Sequence, residues 1–184
     1  YYSNAGGAEA HLVVRSTFDV KYETPVSGPA ALTTALIEKA LVVYAIADQG
    51  NKLTIGELEL AGSSRFELTS GDLEVPPTPV LSASSTLKVV DGALSTTGNL
   101  VAKSGCTVSV SKSITVGGDM ELGGDITHAS GTLTVAGTLT WTTSDSMPTK
   151  ATVGSLTVAS GSKTMSKLVK VENKYTVAAG ATVI

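Results

Sequence analysis

Five carboxylates fall between residues 57 and 74, and they are the densest set of chemically active side chains in the sequence: Glu57, Glu59, Glu67, Asp72 and Glu74. Carboxylates held close together could bind calcium or work as a general acid and base. These residues alternate with large apolar residues, as in a strand with one buried side. Because outward charge is normal for such a strand, we expect a solvated outer face.

A second acidic motif is duplicated, as Gly117-Gly118-Asp119 and Gly123-Gly124-Asp125. Glycine-rich repeats with aspartate bind calcium in β-rolls, but there the repeat is a nonapeptide. Here the two copies are six residues apart, which favours corner turns in which glycine adopts positive φ and aspartate bonds to backbone. We therefore expect no cofactor, with Ca²⁺ as the alternative.

The remaining reactive residues are few. His11 and His128 are the only histidines, and neither has a neighbour at the spacing of a metal motif. His128 lies two residues from Ile126, which predicts a structural imidazole. Cys106 is the single cysteine and occupies an apolar position of the repeat, so we expect a buried thiol. Trp141 is expected to fill the core. No nucleophile elbow or phosphate-binding loop occurs, and we expect the protein not to be an enzyme.

The elements that would position these residues are short strands with apolar residues on one face, which we call rungs. Between Leu87 and Trp141, pairs of apolar residues two positions apart recur every six to eight residues, with glycine or serine between them. A spacing of two places both side chains on one face of a strand. Turns of a hairpin sandwich recur less often, every ~8–12 residues. The pattern predicts an all-β fold, a parallel β-solenoid, with a β-sandwich or jelly roll as the alternative.

The repeat suggests two units, with the solenoid at residues 52–184 and a separate N-terminal unit at residues 1–51. At ~20 residues per coil, the second unit would form about six to seven coils. Pro76–Pro79 and Thr142–Lys150 interrupt the pattern and are expected to be loops. We expect the N-terminal unit to be a cap or an assembly segment.

The N-terminal unit has its own pattern. Alternation over Leu12–Tyr22, with Val13 as the exception, predicts one long amphipathic strand. The composition of Ala30–Ala40, with Leu32 and Leu36 four residues apart, predicts a short helix. Leu41–Ala47 is apolar throughout and fits either a helix or a strand.

The composition and charge of the chain limit the kinds of partner that it can bind. The chain has 13 basic and 16 acidic residues and a net charge of −3, so it lacks the basic surface that nucleic acid requires. No apolar run reaches the ~18 residues of a membrane span. The first residue is Tyr1, and low charge with abundant serine, threonine and glycine is typical of exported proteins. We expect an extracellular or cell-surface protein from which a leader has been removed.

Residues 113–141 (SITVGGDMELGGDITHASGTLTVAGTLTW) resemble the short-rung β-helices of bactofilin-type polymers and bacterial surface adhesins. The resemblance covers the repeat region and is one of architecture. The likeness to the polymer class implies self-assembly end to end.

We therefore expect a structural subunit of an extracellular filament. Its partner would be another copy, added head to tail by stacking of solenoid ends and by addition of the N-terminal strand to a neighbour. The alternative is a surface adhesin or carbohydrate-binding module with a glycan as partner. The residues predicted to form the assembly interface are Leu12, Val14, Phe18, Val20, Tyr22, Tyr175, Val177, Val183 and Ile184.

Overall fold

The structure is a computed structural model that describes residues 2–5, 9–15, 20–24, 30–38, 41–46, 52–142, 150–163, 165 and 169–184. These residues form β-strands and no helix. In chain order the strands are β1 (Tyr2–Ala5), β2 (Glu9–Val14), β3 (Val20–Thr24), β4 (Ala30–Glu38), β5 (Leu41–Ile46), β6 (Lys52–Ala61), β7 (Arg65–Leu68), β8 (Asp72–Glu74), β9 (Val80–Leu81), β10 (Thr86–Val89), β11 (Leu94–Thr96), β12 (Leu100–Ala102), β13 (Thr107–Val110), β14 (Ile114–Val116), β15 (Met120–Leu122), β16 (Asp125–His128), β17 (Leu133–Trp141), β18 (Ala151–Val158), β19 (Ser162–Lys163), β20 (Val169–Val177) and β21 (Thr182–Val183).

The strands stack in parallel as a β-solenoid with three faces, which confirms the predicted fold class. Face C is an unbroken sheet of β3, β5, β7, β10, β13 and β16, corresponding to about six turns, and the pair β19–β21 follows it in sequence. Face A contains the first halves of β4 and β6, then β8, β11 and β14. Face B contains β2, the second halves of β4 and β6, then β9, β12 and β15.

The last layers resemble the first ones, because β17, β18 and β20, like β4 and β6, each run across both face A and face B. The coils also shorten along the chain, as the pairing of the strands shows. Thr34 pairs with His11 near the start and Leu156 pairs with Leu139 near the end, and the second pair is closer in sequence than the first. Each coil therefore contacts its neighbours in register although the repeat has no fixed length.

One hydrophobic core runs along the inside of the stack. It consists of columns in which each apolar residue lies on its counterpart in the next coil, as in the column of Leu73, Leu94, Ile114, Leu133 and Ala151 on face A. All five are at most 3% exposed. Burial of apolar area at roughly 25 cal/mol per Å² makes these columns the main stabilising feature of the fold.

Polar side chains join the coils at the corner between faces A and B. The backbone N–H of Asn99 donates to Oγ1 of Thr78 at 3.1 Å, and the N–H of Asp119 donates to Oδ1 of Asn99 at 2.8 Å. Gly117-Gly118-Asp119 forms this corner, as predicted. The carboxylate bonds to the backbone of the next coil, whereas the sequence predicts a local bond.

The predicted helix at Ala30–Ala40 is wrong, because Ala30–Glu38 is strand β4. β4 pairs with β2 on one side and with β6 on the other, and this long-range pairing overrides the local helix propensity. Leu32 is buried and Leu36 is half-buried, so they do not share a face as in a helix. Leu41–Ile46, left open between helix and strand, is strand β5.

The single strand predicted over Leu12–Tyr22 is also wrong. β2 ends at Val14 and lies on face B, whereas β3 begins at Val20 and lies on face C, so a corner separates them. The division of the chain at residues 51 and 52 stays a prediction. Parallel pairing crosses it without a change of direction, from β4 to β6 and from β5 to β7.

Candidate assembly interface

The last layer of the solenoid exposes side chains that are buried in every layer beneath it. Tyr175 lies over Leu156, and Val177 lies over Val158. Leu156 and Val158 are fully buried, whereas Tyr175 is 47% exposed and Val177 is 42% exposed. These two positions belong to the inward columns of face B. Among the residues that the structure describes, the apolar core is therefore exposed in this last layer.

The backbone at the same end is open as well. Within the described chain, β20 pairs only with β18, and β21 only with β19. Val183 is half-buried and Ile184 is exposed. Unpaired strand edges can accept another strand, so this layer offers both apolar side chains and hydrogen-bonding backbone. We call β20 and β21 together the open layer.

The opposite end differs. Leu12 is 3% exposed and Val14 is 6% exposed, so both belong to the protein's own core. β2 is paired on both edges, antiparallel with β1 and parallel with β4, and is therefore not a free strand. Val20 and Tyr22 lie in β3, which pairs with β5. Phe18 lies outside the described residues. The structure thus places the N-terminal and C-terminal members of the predicted interface at opposite ends of the stack.

Charge is distributed unevenly along the sequence. Residues 1–91 contain eleven acidic and six basic residues, whereas residues 142–184 contain two acidic and five basic residues. Lys170 and Lys174 are exposed on β20, and Lys170 forms an ion pair with Glu172 at 3.1 Å. Glu172 thus neutralises Lys170, and among the described residues of β20 Lys174 is left with an unpaired charge.

A groove of about 450 Å³ lies on the outside of face B, beside the first four layers. Its floor is formed by β2, β4 and β6, and the proline-containing loop before β9 forms one wall. No sequence pattern identifies this site. The nearest signal is the proline run that follows Glu57 and Glu59, but only the stacking shows that the loop overhangs these carboxylates.

The other three carboxylates of the set between residues 57 and 74 each bind a neighbouring group. Glu67 is bound by Arg65 at 2.5 Å and by Lys88 at 3.5 Å, and Glu74 forms an ion pair with Lys52. Oδ1 of Asp72 accepts the backbone N–H of Ala93 at 2.8 Å. These groups have structural roles on the outer surface.

Cys106, His128 and Trp141 are buried, as predicted. Cys106 is 1% exposed, and its burial raises the pKa of the thiol above its usual value, although a hydrogen bond from Ser85 acts in the opposite direction. His128 is 8% exposed and its Nδ1 lies 3.1 Å from the carbonyl oxygen of Ser130, while its Nε2 is buried without a partner. Trp141 is fully buried.

In the described part of the chain, no three His, Cys, Asp or Glu side chains are grouped so that they could hold a metal ion. The same residues include no helix that could serve as a membrane span. Comparison with protein-family models, curated proteins and solved structures finds no match to this chain.

Proposed function

We propose that this protein is a structural subunit that assembles with copies of itself through the open layer, head to tail, into a filament at the cell surface. The single observation that supports this most is the contrast between Tyr175 and Leu156, which occupy the same inward column and are 47% and 0% exposed. Exposed apolar rungs and free strand edges favour a further layer of strands.

The two ends of the molecule are unlike, and this favours a directional assembly. Leu12 and Val14 are buried near the N-terminal end, whereas Tyr175 and Val177, in the same columns, are exposed in the last described layer. A contact between unlike surfaces is heterologous, and it produces an open fibre when the rotation between subunits does not close.

A matched pair of variants tests the proposal. Val177→Lys places a charge in the open layer, and Val90→Lys makes the same change on the side of the stack, at a valine of nearly equal exposure, 42% against 40%. Because a charge buried in a contact is costly, we expect Val177→Lys to raise the concentration needed for assembly roughly tenfold or more. Val90→Lys should assemble like the wild type.

Sedimentation velocity and negative-stain microscopy provide the readout, and circular dichroism checks that both variants are folded. A wild-type protein that stays monomeric up to high concentration contradicts the proposal. If that monomer binds oligosaccharides on a glycan array, the adhesin or carbohydrate-binding alternative is favoured instead.

A further inference from the structure

Strand β1 covers the outer edge of β2 at the N-terminal end of the stack. It pairs with β2 through four residues, from Tyr2 opposite Leu12 to Ala5 opposite Glu9, and it runs antiparallel. Every other pairing in the described sheets is parallel. A strand of opposite direction does not belong to the winding of the solenoid. β1 is therefore an addition to face B, laid over the first strand of that face.

Without β1, the described part of the N-terminal end would present one free strand edge on each face. On face B this is the outer edge of β2, which β1 covers. On face C it is the edge of β3, whose described partner is β5 alone. On face A it is residues 30–32 of β4, which pair with residues 53–55 of β6 and lie outside the part of β4 that β2 reaches. We call these three the head edges.

The open layer matches the head edges in number and in direction. Its free edges are residues 169–171 of β20 on face A, residues 174–177 of β20 on face B, and β21 on face C. These strands and the head edges all run parallel to the neighbouring strands of the stack. A second copy can be stacked in the same direction and turned so that its β2 takes the position after β21. It would then continue the parallel pairing on all three faces, and every free edge would gain a partner strand.

β1 prevents this contact for as long as it stays on β2. It makes face B of the N-terminal end one strand deeper, by ~4.8 Å, so the edges of β3 and β4 are held away from the open layer of the other copy. It also presents an antiparallel strand where continued winding needs a parallel one. β1 itself is held on one edge by four residue pairs, whereas β4 pairs with β6 through eight. The strand that blocks the contact is therefore attached less extensively than the strands beneath it.

We propose that the head edges receive the open layer of a second copy, and that β1 is a removable cover that must leave β2 before this contact forms. The inference rests on the proposed self-assembly and specifies both the receiving surface and the step that limits it. The contact joins unlike ends, so it repeats along the axis. Covering an edge with an extra strand is also a general protection against unwanted strand pairing.

A reversible lock tests the cover. Ser3 lies directly opposite His11, and residues opposite each other on antiparallel strands have Cα atoms roughly 4.5–5.5 Å apart, within the range of a disulfide. Ser3→Cys with His11→Cys, made in a Cys106→Ala background, therefore ties β1 to β2 when oxidised. We expect the oxidised protein to need a concentration at least about tenfold higher for assembly than the same protein after reduction. Sedimentation velocity measures both forms, and the Cys106→Ala parent, with and without reductant, is the control.

The opposite change loosens the cover. Adjacent residues of an antiparallel strand alternate between bonding to the partner strand and facing away from it, so Ser3→Pro with Asn4→Pro removes a backbone bond to β2. We expect this variant to assemble at a concentration about threefold lower than wild type, or lower still. Ser3→Ala with Asn4→Ala keeps both N–H groups and should assemble like wild type.

The outcomes separate this inference from the proposed function. If the Cys106→Ala parent assembles and the oxidised and reduced forms of the locked protein do so equally well, the cover is overturned while the proposed function stands. The same holds if the proline variant assembles less readily than its alanine control although circular dichroism shows that both are folded. A parent and a wild type that never assemble overturn both proposals.

Discussion

A hydrogen bond joins Asp119 to Thr138 in the next coil: Oδ1 of Asp119 accepts the backbone N–H of Thr138 at 2.7 Å. Asp119 in turn donates its own N–H to Asn99 in the coil below. The corner between faces A and B is thus held by side chains that each bind the backbone of the following coil. These side-chain bonds add to the backbone ladder, which continues at the corner from the N–H of Gly137 to the carbonyl oxygen of Gly118.

Asp119→Ala should lower the free energy of unfolding by about 1 kcal/mol, because the N–H of Thr138 loses its acceptor. Asp119 is exposed, so water can bind the freed N–H and limits the loss of stability. Asp119→Asn keeps an acceptor oxygen and is the control. Urea unfolding followed by circular dichroism measures both variants. An alanine variant with the wild-type midpoint would show that this bond contributes nothing.

Leu133→Ala should be far more destabilising. Leu133 is fully buried between Ile114 and Ala151 in its column, and removing such a side chain costs ~2–5 kcal/mol through lost transfer energy and a cavity. Thr134→Ala, the outward neighbour on the same strand, should change stability by less than ~0.5 kcal/mol. Equal losses in the two variants, measured by urea unfolding, would contradict the inward assignment of Leu133.

The inward positions can be predicted from the sequence because apolar residues two positions apart recur in successive short strands. Leu133, Leu139 and Trp141 follow from it directly, and so do the corners at glycine. The N-terminal layers are harder to recognise, since the longest coils, such as the one from Leu41 to Arg65, spread the rungs further apart. The composition of Ala30–Glu38 then favours a helix, because local propensity gives no information on a strand partner that lies a whole coil away.

The groove on face B could not be predicted from the sequence either, because its residues also come from separate coils. Its lining comes from residues as distant in sequence as Val13 and Val80, and only the register of four layers brings them together. The open layer is predictable, because Tyr175 and Val177 continue the apolar columns. The burial of Leu12 and Val14 in the protein's own core is not, since nothing in their alternation indicates a β1 strand that returns antiparallel beside β2.

Gly124→Ala should destabilise the protein through a backbone clash. A methyl group at this corner would lie 2.4 Å from the carbonyl oxygen of Cys106 and 2.6 Å from that of Lys103. The coils would have to move apart, at a cost of ~1–3 kcal/mol. Ser104→Ala, an exposed change at the neighbouring corner, should stay within ~0.5 kcal/mol of wild type. Thermal unfolding of the two variants tests this difference, and a Gly124→Ala protein as stable as Ser104→Ala would show that the corner can expand.

Cys106 should make stability depend on alkaline pH. Burial raises the pKa of its thiol in the folded state above the ordinary value of 9.0, so the unfolded chain loses its proton first. The contribution of the neutral thiol is therefore complete below pH 9.0 and is lost as the pH rises through the folded pKa. The stability advantage of wild type over Cys106→Ala, from urea unfolding at several pH values, should shrink above that point. A constant difference would indicate that the thiol does not titrate with unfolding.

The coil length also determines how the chain can fold. Parallel partners in the described sheets are one coil apart in sequence, from Leu139 and Leu156 in a short coil to Leu41 and Arg65 in a long one. Each turn can therefore wind onto the preceding one as soon as it leaves the ribosome, without waiting for distant parts of the polypeptide. Because each turn contacts only its neighbours, folding can begin in one turn and spread along the axis. Pulse-labelled hydrogen exchange should detect protection that appears in neighbouring turns successively, and simultaneous protection of all turns would contradict this order.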